Sequence, residues 1–123
     1  MTDSGTANLA GTMWSATAVN NGKGGVTSRV GGTTLTLVFG ADGTLSGSAG
    51  CNNYSGHYEI ADGSVKFPTT FASTRKMCGD AGVMDQEQSF LKALSVSTSA
   101  HLNGDRLELR DSAGALQISA IRT

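Results

Sequence analysis

The residues with the richest chemistry lie in one short stretch, GSAGCNNYSGHYEI, at residues 47–60. Ser55 and His57 are two positions apart there, and strand residues at that spacing share a face, so a nucleophile and a base could meet. A serine nucleophile also needs a sharp turn and an oriented base, and the chain has no G-x-S-x-G sequence. We therefore expect no catalytic residue, and we interpret the stretch mainly as scaffolding.

The same stretch contains features of a strand with an irregular start. Gly50 and Gly56 flank the Cys-Asn pair, which predicts a bulge or a close backbone crossing. The Asn52 amide would then turn inward and satisfy backbone groups freed by the bulge. Residues of equal parity are expected to form a core-facing row: Tyr54, Tyr58 and Ile60. The alternative is that Asn52, Asn53 and Tyr54 bind a ligand.

The chain has two cysteines, Cys51 and Cys78, separated by 78 − 51 = 27 positions. Even with His57 they fall short of the four ligands of a structural zinc site, and no C-x-x-C spacing occurs. A disulfide and a pair of buried thiols both remain open, and we favour the disulfide. Closing that loop would stabilise the fold by about 3.5 kcal/mol in the chain-entropy description and would indicate an oxidising compartment.

The acidic residues do not form a pattern typical of hydrolysis or metal binding. Four aspartates fall in turn sequences, where their carboxylates bind local backbone: Asp42, Asp62, Asp105 and Asp111. Glu87 lies on the apolar face of a predicted helix, where it would form an ion pair with Arg75 or cap a strand end. The sequence GKGG lacks phosphate-loop spacing. We expect no metal and no cofactor.

Composition excludes several classes of protein. Net charge is −1, charged residues make up 15% of the chain, and the nine basic residues are scattered, so we expect no nucleic-acid partner. No apolar run approaches the roughly 20 residues of a membrane span. The opening residues lack a signal-peptide pattern, so the chain is either a cytosolic protein or a mature region behind a new initiator Met, and we favour the second. We expect a flexible segment at residues 1–8 and a single domain at residues 9–123. We expect a monomer.

Turn and strand patterns indicate a mainly β protein. Four turn sequences between alternating stretches predict antiparallel hairpins: Asp42-Gly43, Asp62-Gly63, Asn103-Gly104 and Ser112-Ala113-Gly114. Trp14, Ala16 and Ala18 are expected to share one inner row of a strand. Apolar spacing predicts one helix at residues 83–94, and the composition of residues 20–33 indicates a mobile Gly-rich loop. A predicted core of large side chains would fill the interior: Trp14, Leu35, Leu37, Phe39, Tyr58 and Leu107.

Several motifs, in order, resemble those of the META domain, also called the HslJ-like domain. They are LAGTMW, LTLVFGADGTLSGSAGCNNYSGHY, STRKMC, MDQEQSFLKAL and LELRDSAGAL, which together extend from residue 9 to about residue 121. Lys76 departs from the pattern, in which an apolar or small residue is usual. The matching positions are the two cysteines and a set that we interpret as structural: Gly11, Trp14, Asp42, Gly43, Gly50, Asn52, Tyr54, Gly56, Tyr58, Thr74, Met77, Glu87, Phe90 and Leu94.

The resemblance implies a small, lipocalin-like antiparallel barrel of about eight strands with one helix packed against it. It also implies residence in the bacterial envelope, as a lipoprotein, or outside the cell, and it supports the proximity of Cys51 and Cys78. Members of the family are linked to heat shock, to novobiocin resistance and, in a protozoan relative, to virulence, without an established catalytic activity. We therefore expect a non-enzymatic module that contacts an unknown protein or cell-surface partner. The alternatives are a small hydrophobic ligand in the barrel, or protease inhibition through an exposed loop such as residues 20–33.

Overall fold

The structure is a computed structural model that describes residues 9–22, 25–61, 64–80 and 82–123. The predicted flexible segment, residues 1–8, lies outside these residues. The strands and the helix, in chain order, are β1 Thr12–Asn20, β2 Val26–Ser28, β3 Thr36–Phe39, β4 Thr44–Ser48, β5 Asn53–His57, β6 Glu59–Ala61, β7 Ser64–Lys66, β8 Ala72–Ser73, α1 Val83–Val96, β9 Ser97–Asn103, β10 Arg106–Asp111 and β11 Leu116–Arg122.

One large antiparallel sheet of nine strands dominates the fold. Its order is β8-β5-β4-β3-β1-β11-β10-β9, β2 pairs with β1, and β6 and β7 form a separate hairpin. The mainly β class with one helix is confirmed, but the predicted closed barrel is wrong, because no ladder joins the outer strands β8 and β9 within the described residues. The reason is local: β8 is only two residues long, and the β6–β7 hairpin lies beside β9 in its place.

The turn sequences form the hairpins that they predict. Gly43 between β3 and β4, Gly104 between β9 and β10, and Gly114 between β10 and β11 have φ angles of 92°, 64° and 85°, the left-handed region that glycine enters at least cost. The Asp62-Gly63 pair lies outside the described residues, and the strands on either side of it pair antiparallel. Strand β1 lies between β3 and β11, so the sheet is more than a simple succession of hairpins.

Large apolar side chains fill the interior, as predicted. Trp14, Leu35, Leu37, Phe39 and Leu107 are 0% exposed, and Tyr58 is buried as well. Burying each such side chain contributes about 1.5–3 kcal/mol. The inner row of β1 differs from the prediction in one respect, because the register shifts between Ala16 and Ala18. This bulge buries Val19 and leaves Ala18 half-buried.

The helix forms where apolar spacing predicts it and continues two residues further, to Val96. The buried positions follow intervals of three and four residues: Val83, Glu87, Phe90, Ala93 and Leu94. Leu91, expected on the same face, is half-buried. Asp85 lies in the first turn, where a negative charge is favourable to the helix dipole.

The stretch at residues 20–33 is more ordered than the predicted loop. Strand β2 pairs with the end of β1, with Val19 opposite Thr27. The Gln86 side chain then ties the following residues to α1, since its Oε1 accepts from the Val30 N–H at 2.6 Å and its Nε2 donates to Thr33 Oγ1 at 3.1 Å. Residues 23 and 24 lie outside the described residues.

Candidate functional site

The centre of the motif is a buried carboxylate on the helix. Glu87 Oε1 accepts from the backbone N–H groups of Cys51 at 3.2 Å and Asn52 at 2.7 Å, and Oε2 accepts from Asn52 Nδ2 at 2.8 Å. The residue is 6% exposed. The sequence predicts that Glu87 either forms an ion pair with Arg75 or caps a strand end. Its contacts are those of a cap, since it accepts from backbone N–H groups. No ion pair joins it to Arg75 in the part of the chain that the structure describes.

The Asn52 side chain also forms hydrogen bonds with a second segment, which contains Thr74 and Lys76. Its Nδ2 donates to the carbonyl oxygen of Lys76 at 3.0 Å as well as to Glu87, while its Oδ1 accepts from Thr74 Oγ1 at 2.8 Å and from the Lys76 N–H at 2.7 Å. An asparagine amide has two donor hydrogens and two acceptor lone pairs, so all four positions are used. At 2% exposure, Asn52 has no remaining capacity to bind a ligand.

A disulfide joins the same two segments. Cys51 and Cys78 are bonded, with an S–S distance of 2.06 Å and a Cα–Cα distance of 6.0 Å. The favoured disulfide is therefore confirmed, and it lies one residue from Asn52 on one side and two residues from Lys76 on the other. Helix, motif and second cysteine segment thus form a single covalent and hydrogen-bonded unit.

This unit fixes residues 73–79, which we call the anchored segment, at the surface. The Thr74 N–H donates to Asn53 O at 3.1 Å, and the Asn53 N–H donates to Thr74 Oγ1 at 3.2 Å. Arg75, Lys76 and Met77 are nevertheless exposed, and Met77 is 83% exposed. The segment is held on its inner side and open on its outer side.

Two tyrosines of the motif are buried hydrogen-bond donors. The Tyr54 hydroxyl donates to Thr36 O and the Tyr58 hydroxyl donates to Gly40 O, each at 2.7 Å. Burial raises the pKa of the Tyr54 phenol far above its usual range. Burial, with a smaller contribution from the Asp42 carboxylate, also raises the pKa of Tyr58. Both side chains serve the core instead of a binding surface.

The motif glycines occupy places where a side chain would be costly. A Cβ on Gly56 would lie 2.8 Å from Phe71 Cδ1, closer than real contacts allow. Gly50 has a φ of 109°, with Gln86 Nε2 at 3.2 Å from the position of a Cβ. Both glycines are closely approached, but by side chains, Gln86 at Gly50 and Phe71 at Gly56, and not by the predicted backbone crossing.

The chain is similar to one protein-family model and to solved structures. The sequence model of the META domain matches residues 7–120, nearly the whole chain. This chain belongs to the META domain family. It is similar to an NMR structure of a protein from Burkholderia xenovorans, with a TM-score of 0.78 and 25% identity over 96% of this chain and 86% of that one. A second NMR structure has a TM-score of 0.67 and 20% identity over 98% of this chain and 95% of that one, which supports the fold alone. No curated protein sequence matches the chain significantly.

The remaining motif positions of this META domain are structural in their contacts. The Gly11 N–H donates to Phe39 O at 2.6 Å, and Trp14 Nε1 donates to Thr12 Oγ1 at 2.8 Å. Asp42 Oδ1 accepts from the Thr44 hydroxyl at 2.6 Å and from its N–H at 3.1 Å, so it closes the turn that Gly43 completes. Phe90 and Leu94 are buried in the core beneath the helix.

Residues with potential for catalysis are dispersed in this META domain. Ser55 and His57 are exposed, and no hydrogen bond joins them in the described part of the chain. Ser99 Oγ lies 3.4 Å from His101 Nε2 on the exposed side of β9. Across the described residues, no cluster of His, Cys, Asp or Glu is suited to a metal ion, and no helix is both long and apolar enough to span a bilayer.

One open groove lies between β2 and the N-terminal half of α1. Its volume is about 510 Å³, and its polar walls include Thr27, Ser28, Asp85, Gln88 and Ser89. It has no aromatic lining residue in the described part of the chain.

Sequence reasoning did not identify Gln86 as a tie between α1 and residues 30–33. In the region just before Lys76, only Ala72–Ser73 form a strand. One signal could have located the anchored segment. In the META domain family, the motif around Cys51 and Asn52 recurs together with the segment around the second cysteine, Cys78.

Proposed function

We propose that this META domain is a non-enzymatic module of the bacterial envelope or the extracellular space. It acts in a stress-related role through contacts with a protein or cell-surface partner, and the anchored segment supplies the contact. The proposal combines the chain's membership of the family with the way in which the motif residues are used.

The observation that carries the proposal is the direction of the motif's hydrogen bonds. Glu87 and Asn52 are buried, and the hydrogen bonds of their side chains lead to residues 51, 52, 74, 76 and 87. A buried polar network of this kind rigidifies the backbone that it binds. That backbone belongs here to an exposed segment with two basic side chains and Met77. Preorganised surface segments bind partners at lower entropic cost.

The disulfide supports the proposed residence in the bacterial envelope or outside the cell. Disulfides persist in oxidising environments such as the periplasm and the exterior of the cell. Cys51–Cys78 is in addition the covalent part of the unit that holds the anchored segment. A compartment in which that bond survives agrees with the envelope residence expected from the resemblance.

Neither a ligand inside a barrel nor protease inhibition through residues 20–33 has a specific observation in its favour. A small hydrophobic ligand inside a barrel would need an interior volume that Trp14, Leu37 and Phe39 occupy. Protease inhibition through residues 20–33 would use a segment that pairs with β1 and is tied to α1 by Gln86.

Photo-crosslinking tests the proposal. A photoreactive benzoylphenylalanine at position 77 should give a discrete protein adduct in bacterial envelopes under heat stress. The same group at position 113, an exposed turn residue between β10 and β11, should not give that adduct. Reduction of the disulfide before irradiation should weaken the position-77 adduct. Equal labelling at both positions, or none at position 77, would contradict a contact role for the anchored segment.

A further inference from the structure

The anchored segment has an alternation of bound and free backbone groups. Thr74 and Lys76 direct their N–H groups inward, to Asn53 O and to Asn52 Oδ1, and the Lys76 carbonyl also points to Asn52. In an extended chain successive residues direct their N–H and C=O groups to opposite edges. Arg75 and Met77, the residues that alternate with these anchored positions, make no hydrogen bond to the described residues, and they follow the short strand β8 at the end of the sheet order.

The side chains along this edge are basic and apolar. Arg75 and Lys76 are exposed, and in the described part of the chain the two ion pairs lie elsewhere, at Arg110–Glu108 and Arg122–Asp105. Antiparallel pairing with the same edge of a second copy would bring these cations together, which is unfavourable. The edge is thus suited to a partner that adds an extended strand and offers a negative pocket.

We propose that the anchored segment is an inhibitory loop for a trypsin-like serine protease, with Arg75 in the acidic specificity pocket and Arg75–Lys76 as the reactive bond. The inference rests on the proposed function, since it names the class of protein that the segment contacts. Proteases of this class select a basic residue through a buried aspartate. Added strands are held by main-chain hydrogen bonds to alternate residues, which here are Arg75 and Met77.

The backbone hydrogen bonds favour Arg75 over Lys76 as the residue that enters the specificity pocket. Both backbone groups of Lys76 are engaged by Asn52, so they are not available for the main-chain hydrogen bonds that a protease makes to the residue in its specificity pocket. Arg75 lies between two anchored residues and makes none of the hydrogen bonds that hold the segment within the described residues.

The anchors on both sides of the bond favour inhibition over digestion. The protease's serine Oγ attacks the Arg75 carbonyl carbon, the C–N bond to Lys76 breaks, and the serine proton passes through the protease's histidine to the released amine. Thr74 stays bound to Asn53, and Lys76 stays tethered through Asn52 and Cys78. The amine therefore remains beside the acyl ester, attacks it, and re-forms the peptide bond as its proton returns through the histidine to the serine.

Inhibition of purified trypsin by the full 123-residue chain tests the proposal. We expect stoichiometric inhibition with a Ki below about 1 μM, in the range of specific protein complexes. Arg75→Ser should weaken inhibition by at least about 100-fold, as expected for a central anchor residue. Lys92→Ser, which removes a cation of α1, should leave the Ki unchanged. Arg75→Phe should transfer inhibition from trypsin to chymotrypsin, which a merely structural role for Arg75 would not do.

Three results would overturn the inference. The first is no inhibition of trypsin at about 100 μM chain, a concentration far above specific dissociation constants. The second is rapid cleavage of the Arg75–Lys76 bond with full turnover. The third is equal inhibition by Arg75→Ser and by the unaltered chain. If trypsin is not inhibited while position 77 still crosslinks to a protein, this inference fails alone. If both experiments fail, the contact role of the segment fails with it.

Discussion

Asn52 and Glu87 are joined by two hydrogen bonds, from the Asn52 N–H to Oε1 at 2.7 Å and from Asn52 Nδ2 to Oε2 at 2.8 Å. This pair connects the helix to the irregular start of β5, and through Asn52 it reaches Lys76. The most polar residues of the motif therefore serve to position backbone, and the surface that they position is the anchored segment.

Glu87→Gln should destabilise the fold. If the glutamine Oε1 kept the two backbone contacts, its NH2 group would take the place of Oε2 and face Asn52 Nδ2. Two donors would then face each other, and a buried side-chain N–H of Asn52 would lose its acceptor. We expect a loss of about 1–3 kcal/mol in the free energy of unfolding. Urea denaturation measures it, with Glu59→Gln on exposed β6 as the matched control. A change no larger than that of the control would contradict the capping role.

Cys51→Ser combined with Cys78→Ser should lower stability through the unfolded state. The bond closes a loop across a separation of 27 residues, which corresponds to about 3.5 kcal/mol in the chain-entropy description. The unaltered chain under strong reductant should match the double variant in a denaturation experiment. If reduction leaves the unfolding midpoint unchanged, the covalent link is not a major source of stability.

Alkaline conditions should destabilise the domain through its tyrosines. The pKa values of Tyr54 and Tyr58 are raised in the folded state, chiefly by burial, while in the unfolded chain they return to about 10. Above that pH the unfolded state loses protons first, so stability is complete below it and falls as pH rises. Phenolate absorbance should therefore appear together with unfolding. Titration of both phenols near their ordinary pKa in a still folded chain would disagree with their burial.

Gly56→Ala should disturb the packing of Phe71. The added methyl group would lie 2.8 Å from the ring in the present geometry, and overpacking of this kind costs about 1–3 kcal/mol. Gly31→Ala is the control, since a Cβ there meets nothing within 4 Å. Thermal unfolding compares the two, and equal midpoints would show that Phe71 moves aside freely.

The parts of the fold that depend on local rules could be predicted. The turns at Gly43, Gly104 and Gly114 follow from the conformational freedom of glycine, and the helix follows from its apolar spacing. The even number of cysteines likewise favours the disulfide that joins them.

Features that depend on contacts between distant residues could not be predicted in the same way. Closure of the sheet depends on its outer strands β8 and β9, but β8 is only two residues long and the β6–β7 hairpin lies beside β9. The bulge at Ala16 and Ala18 and the tie from Gln86 to Val30 depend on register and on side-chain reach, which alternation alone does not specify.

Amide hydrogen exchange across residues 74–77 tests the central claim most directly, because the claim is that motif residues hold alternate backbone groups of the anchored segment. We predict slow exchange at Thr74 and Lys76 and fast exchange at Arg75 and Met77, with protection at Lys76 lost in Asn52→Ala. Uniformly fast exchange across all four amides of the unaltered chain, or Lys76 protection that survives Asn52→Ala, would contradict it.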